Sequence, residues 1–382
     1  MFRPHLLIGI LFIGLASLFI PVIPPGHAAS GSYFDNIVIV AMENQYYSDV
    51  MGNGTGSSNA PFIASLLARG ATVPLYHAYG AAGRTVAGCS AGCYTALISG
   101  SDQGISDGYN CCINAPTLMD RMASAGLTWS AFCEDGCPRG NDHFPFTGFA
   151  SISTSPNIHA STGPLNPEFV DAMNAGSPAN FIWLTPTDGH NMHSSSIQTG
   201  DSYLHDLLVG PSGSLANPAA SSVLASNLFK AGHRSILMLW WDEFDPAPFL
   251  LYQPGVIKQS YISSSDSYDE FSILHTIENN WSLPTLAAND AAASLMTENF
   301  GPATSQPPNS PSGGTSGLLG LSNSLWLIII GGLIGVVASL VLVTARARMR
   351  LKHAGEIENP RTLVSTPKLP YRLDDPFSLA IS

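Results

Sequence analysis

Three stretches of the chain end an apolar run on side chains able to do chemistry. "NIVIVAM", residues 36–42, runs into Glu43 and Asn44. "NFIWLTP", residues 180–186, runs into "TDGHNMH", which carries Asp188, His190, Asn191 and His193. "SILMLWW", residues 235–241, runs into Asp242, Glu243 and then Asp245. Carboxylates packed together repel one another unless a cation holds them. Oxygen-rich clusters suit hard divalent ions, and a few imidazoles extend the choice to transition metals. Each pair alone also matches a turn or a helix cap. Their recurrence after three similar runs is what points to a metal.

A nucleophile is offered by Ser90, in "AGCSAGCYTALISG". This is a small-residue turn leading into a helix-like stretch, and a helix N-terminus presents backbone N–H groups to an anion. Cys89 and Cys93 flank the serine and could pin the turn by a disulfide. The competing reading is a disulfide-bearing loop in which Ser90 serves as a cap.

The elements that must position these residues follow from the apolar pattern. Continuous apolar strands alternate with helix-like segments: "APFIASLLARG", "PTLMDRMASAG", "ASSVLASNLFKAG" and "EFSILHTIENNW". Strands of this kind are buried on both faces, which predicts an α/β fold with a mainly parallel sheet sandwiched between helices. In such sheets the ligand crevice lies beyond the carboxyl ends of the strands. If the three acid-tipped strands are neighbours, Glu43, Asn44, Asp242 and Glu243 share one rim.

The chain has 382 residues, enough for a sizeable core. Between Ser30 and Ser324 there are 7 Lys and Arg against 23 Asp and Glu. That balance argues against nucleic acid as a partner, because phosphate contacts need clustered cations. It leaves phosphorylated substrates open, since a metal can supply positive charge locally.

Both ends look membrane-directed. Arg3, the apolar run Leu6 to Ile20 and small residues around Ala28 predict a secretory signal peptide over 1–29, with an uncleaved anchor as the alternative. Residues 30–300 read as one globular catalytic domain. A Pro/Gly/Ser linker follows over 301–324. The uncharged run Leu325 to Val343 is long enough to span a bilayer, giving a transmembrane helix over 325–344. Arg346, Arg348, Arg350 and Lys352 come next, so the tail, 345–382, is expected in the cytoplasm and the domain outside. All six cysteines lie between Cys89 and Cys137. In an exported segment they read as disulfides, in any of fifteen connectivities; a zinc site is the rival, with the wrong spacing for it. "NGT" at Asn53 and "NWS" at Asn280 match the glycosylation pattern.

"IVIVAMENQYYSDVMG" resembles the opening of the phosphoesterase family that contains bacterial and fungal acid phosphatases and phospholipases C, within the alkaline-phosphatase-like superfamily. The resemblance continues in order through "APFIASLLARGATVPLYHAYG", "CSAGCYTALISGS", "LTWSAFCEDGCP", "DHFPF", "WLTPTDGHNMHSSSIQTGDSYL", "LMLWWDEFD" and "YDEFSILHTIENNWSLP". It spans roughly Asp35 to Pro284. Carried over position by position, it implies that Glu43, Asn44, Ser90, Asp242 and Glu243 hold a divalent metal cation and that Ser90 is the nucleophile. It implies that His143 and His193 hold phosphoryl oxygens or donate protons, as imidazolium at mildly acidic pH, with His77 a further substrate-binding candidate. The chain departs from the family at Cys89, Gly92 and Cys93 around the serine, at His190-Asn191, at Asp269-Glu270 and at His275. The first group suggests a disulfide-braced nucleophile loop; the others put a second metal site in doubt. The activity implied is a metal-dependent phosphoric ester hydrolase of acid-phosphatase type, working through a phosphoseryl intermediate on the outer face of the cell membrane. A phospholipase C-type phosphodiesterase and a non-catalytic surface-binding domain on the same scaffold are the alternatives.

Overall fold

The structure, a computed structural model, describes residues 30–78, 89–160 and 167–301. Eight strands form one sheet: β1 (Asn36–Met42), β2 (Ala71–Thr72), β3 (Trp129–Cys133), β4 (Ile158–Ala160), β5 (Phe181–Thr185), β6 (Ser235–Trp241), β7 (Phe249–Tyr252) and β8 (Tyr261–Ile262). Their order is β4-β3-β5-β1-β6-β7-β2-β8. The run from β4 to β6 is parallel throughout. β7 then turns back antiparallel to β6 and β2, and β2 pairs parallel with β8. The sheet is therefore mixed, with a parallel core and a short edge that reverses.

Every residue of β1, β5 and β6 is buried. Successive strand side chains point to opposite faces, so both faces of the centre are covered. The helices doing so are α1 (Tyr47–Met51), α2 (Pro61–Leu67), α3 (Ser90–Ser99), α4 (Leu118–Ser124), α5 (Pro167–Asn174), α6 (Ile197–Leu208), α7 (Glu270–Asn280) and α8 (Ala288–Ala292). Seven of them pack in two groups, α1 with α2 and α6, and α3 with α4, α7 and α8, while α5 packs on the turn Asn227–Phe229. Fully burying an Ile or Val stabilises by about 1.5–3 kcal/mol, so the apolar runs of β1, β5 and β6 favour the inside of the sheet over its edges.

Local chemistry sets the helix starts. Thr117 and Asp120 form a reciprocal capping box on α4, and Asp269 caps α7 through the Ser272 N–H at 2.9 Å. One expected helix is absent. "ASSVLASNLFKAG" folds instead as two 3-10 turns, Val223–Ala225 and Asn227–Phe229. Ser222 and Ser226 both take extended backbone at the head of these turns, and the Ser222 hydroxyl donates to the Ala219 carbonyl at 2.6 Å. Such local bonds compete with the helix.

The six cysteines pair as Cys89–Cys93, Cys111–Cys112 and Cys133–Cys137, all local in sequence. Asn53 is exposed, whereas Asn280 is buried and bonds the Phe34 backbone on both sides, so the second glycosylation match has no accessible amide. Among the described residues no helix is long and apolar enough to cross a membrane. The signal segment, transmembrane span and tail expected from the sequence, and the linker beyond Gly301, lie outside the described residues.

Candidate active site

β5, β1 and β6 are neighbours, so the three apolar runs deliver their ends side by side. Met42 pairs with Trp241 in the register of β1 and β6, which puts Glu43 beside Asp242. The Glu43 N–H donates to the Asn191 carbonyl at 2.8 Å, tying in the segment after β5. Glu43 and Asp242 are wholly buried and Glu243 nearly so.

Ser90 opens α3 and is 4% exposed. Its backbone N–H donates to Glu243 Oε1 at 3.0 Å, and the Ala91 N–H donates to Asp107 Oδ1 at 3.1 Å. The helix start expected to greet an anion thus already spends its first two donors on carboxylates. What faces the site is the hydroxyl. Ser90 Oγ lies 3.0 Å from His143 Nε2. His143 Nδ1 lies 3.0 Å from Glu43 Oε1, without hydrogen-bond alignment. The Tyr94 hydroxyl donates to that same Glu43 oxygen, and its ring stacks on His143 at 5.5 Å. Tyr94 follows Ser90 by four residues, one turn along the same helix face.

His193 stands one ring away from His143, at 5.6 Å between centroids. Arg139 Nη2 donates to His193 Nε2 at 2.9 Å, while Arg139 Nε donates to Asp188 Oδ2 at 2.8 Å. His77 goes elsewhere: its Nδ1 pairs with Asp245 Oδ1 at 2.5 Å, on the rim rather than beside Ser90. His190 pairs with Glu134 Oε2 at 2.7 Å. A cavity of about 630 Å³ lies apart from all of these, lined by Phe62, Arg69, Asp201 and His205 among others.

The electrostatics are those of an acidic cluster lacking counter-charge. Burial, reinforced by the Glu243 and Asp188 charges, pushes Glu43 up to about 8. Burial and then the Glu43 charge hold Asp242 well above the usual carboxylate range. Burial pulls both His143 and His193 down, so each favours the neutral imidazole; that runs against an imidazolium at mildly acidic pH.

Glu43 Oε2, Asn44 Oδ1 and both Asp242 carboxylate oxygens are buried with no donor from the rest of the chain, and a proton shared between Glu43 and Asp242 is what binds the two acids to each other. Buried acceptors short of donors are costly, and a bound cation would answer them. The donor set, two carboxylates and an amide carbonyl beside a serine hydroxyl, suits a hard divalent ion. Glu243 differs, because its Oε1 is committed to the Ser90 backbone. Among the described residues, no three side chains drawn from His, Cys, Asp and Glu already converge as a ligand set; the oxygens short of donors come from Asn44 and only two acids. Sequence reasoning missed Tyr94, Arg139 and Asp107. For Arg139 a signal existed: it is one of few cations in the domain and lies four residues before His143.

No family model matches the chain, and no curated protein matches it. Solved structures do. A protein of the alkaline phosphatase superfamily from Vibrio parahaemolyticus is similar at 15% identity and a TM-score of 0.43, over 74% of this chain and 76% of that one. A sulfatase-like protein from Bacteroides thetaiotaomicron is similar at 11% identity and 0.46, over 69% and 73%. An inactive variant of murine ectonucleotide pyrophosphatase/phosphodiesterase 5 in complex with AMP is similar at 8% identity and 0.47, over 70% and 100%. Likeness at these values says nothing about chemistry.

Proposed function

We propose that the chain hydrolyses phosphate esters with Ser90 as nucleophile, as a member of the phosphoesterase family its motifs resemble. The observation that carries this is Ser90 Oγ held 3.0 Å from the His143 ring nitrogen, in a ring that itself lies 3.0 Å from Glu43, in a cluster of buried acids short of donors. Glu43, Asn44, Asp242 and the Ser90 hydroxyl would hold a divalent cation. Such an ion, when bound, lowers the pKa of a nearby hydroxyl and offsets charge developing on phosphoryl oxygens.

Each side chain then has a task. His143, neutral because it is buried, keeps its proton on Nδ1, 3.0 Å from Glu43 Oε1 but not aligned on it, and turns the Nε2 lone pair to Ser90. It takes the serine proton as Oγ attacks phosphorus, and returns it to the departing alkoxide. Water next attacks the phosphoseryl group, giving its proton to His143, which passes it to Ser90 Oγ as the P–O bond breaks and phosphate leaves. Tyr94 steadies the Glu43 carboxylate. Arg139, held by Asp188 and about half exposed, supplies the fixed positive charge nearest the histidines and binds non-bridging phosphoryl oxygens. Positioning and charge of this kind carry most of the rate in phosphoryl transfer. We also propose that the domain works outside the cell, on the strength of the signal-like and membrane-spanning segments.

Ser90→Ala tests the core of this. It is expected to lower kcat on p-nitrophenyl phosphate at least ~1000-fold, on the scale of losing a nucleophile, with the circular-dichroism spectrum unchanged. A variant keeping a tenth of wild-type turnover removes Ser90 from the mechanism.

A further inference from the structure

Tyr46 is one of three large apolar side chains left exposed among the described residues, at 47%. It lies two residues beyond Asn44. Its ring stacks on Phe244, which directly follows Glu243, with centroids 4.6 Å apart and planes 25° from parallel. The two aromatics thus sit on the two chain segments that leave β1 and β6 through the candidate cation-binding residues.

Their position is held by the backbone. Asn44 has φ 49° and Phe244 has φ 70°. A bulky aromatic in the left-handed region is a rare outlier, and such outliers gather at ligand sites. The Tyr47 N–H donates to the Pro246 carbonyl at 2.8 Å, fastening the segments to each other just past the stacked rings. Asp245, the residue after Phe244, pairs with His77. Phe244 is half-buried, so Tyr46 offers an exposed aromatic ring supported from one side, two residues from Asn44. Neither ring is needed by the core: the central aromatics Trp183, Trp240 and Tyr94 pack on one another without them.

We propose that Tyr46 and Phe244 form a stacking platform for a planar aromatic ring carried on the alcohol side of the ester, so that the natural substrate is an aryl or nucleoside phosphate rather than an alkyl one. This rests on the phosphoesterase reading. With the phosphoryl group at Ser90 and Arg139, the leaving group has to point out of the buried cluster, toward exposed side chains such as Tyr46. Rings of either source present the same π-face, and offset stacking is the arrangement two such rings prefer.

The test compares kcat/KM for phenyl phosphate, a nucleoside 5′-monophosphate and methyl phosphate in the wild type, Tyr46→Ala and Tyr46→Phe. The platform predicts an aromatic-to-methyl ratio at least tenfold lower in Tyr46→Ala and restored in Tyr46→Phe. Which aromatic ester falls further says whether the ring is aryl or nucleobase. A residue that merely fastened the loops would change all three esters alike, leaving the ratio where it was; that outcome overturns the platform. Binding of phenylphosphonate and methylphosphonate is measured in parallel by calorimetry, where turnover is not required. A tenfold preference for phenylphosphonate that disappears in Tyr46→Ala supports the platform even in a protein that cleaves no ester, whereas equal binding of the two in the wild type overturns it. Absence of turnover on every ester strikes at the phosphoesterase reading alone.

Discussion

Glu43 and Asp242 define the residue scale, because their burial is unfavourable until something answers their charge. Replacing one partner of a buried charged group changes stability more than any surface change. Asp242→Asn is therefore expected to raise the Tm of the cation-free protein, since an amide carries no charge to desolvate. The same change is expected to abolish the stabilisation that added divalent cation gives the wild type. Equal cation-induced shifts in wild type and variant, read by differential scanning calorimetry, would remove Asp242 from the site. Arg139 makes a different prediction. It touches no residue of the serine–histidine pair except through His193, so Arg139→Met should raise KM for a phosphate monoester about tenfold while lowering kcat less. A pure kcat loss would mean that Arg139 orients His193 rather than substrate.

At the scale of elements, α3 matters most, since it carries Ser90 and Tyr94 on one face and begins at the Cys89–Cys93 bridge. So short a loop contributes only about 2 kcal/mol on the chain-entropy account. Cys93→Ala is thus expected to fold, yet to lose activity at least tenfold as the first turn loosens. Full activity would show that Glu243 and Asp107 fix the turn unaided. α7 supplies the pH dependence. Glu278 is wholly buried, and burial, then the charge of Asp290 and a hydrogen bond to it, raises it from 4.5 to about 9. The folded state keeps a proton that the unfolded state gives up. The stability this contributes is complete below pH 4.5 and is lost as pH rises toward 9. Glu278→Gln keeps the neutral shape, so in urea unfolding it should match the wild type at pH 4.5 and exceed it at pH 8 by ~1 kcal/mol or more. The same difference at both pH values would show that Glu278 does not titrate in this window.

For the whole molecule, the parallel core was legible because a strand buried on both faces leaves no choice of residue. "NIVIVAM" and "SILMLWW" correspond residue for residue to β1 and β6. The reversing edge was not, since β2 and β8 are two residues each and owe their place to partners distant in sequence. β3, "WSAFC", carries a serine in an otherwise buried strand and gave no continuous apolar run. The acid-tipped strand ends were legible for a chemical reason, since charged side chains beside fully apolar runs need an explanation. Arg139 and Tyr94 were not, because an arginine in a loop and a tyrosine in an apolar helix each have ordinary uses. The false helix at 220–232 came from composition, and extended backbone at Ser222 and Ser226, with the Ser222 hydroxyl bonded to Ala219, breaks it into two turns.

The central claim is that Ser90 forms a covalent bond to phosphorus. Rapid acid quenching of the domain during turnover of p-nitrophenyl phosphate, followed by peptide mass mapping, tests it most directly. The account predicts one phosphoryl group on the peptide containing Ser90, present in the wild type and absent from Ser90→Ala. Steady turnover with that peptide never modified, or modification at another residue, would contradict it.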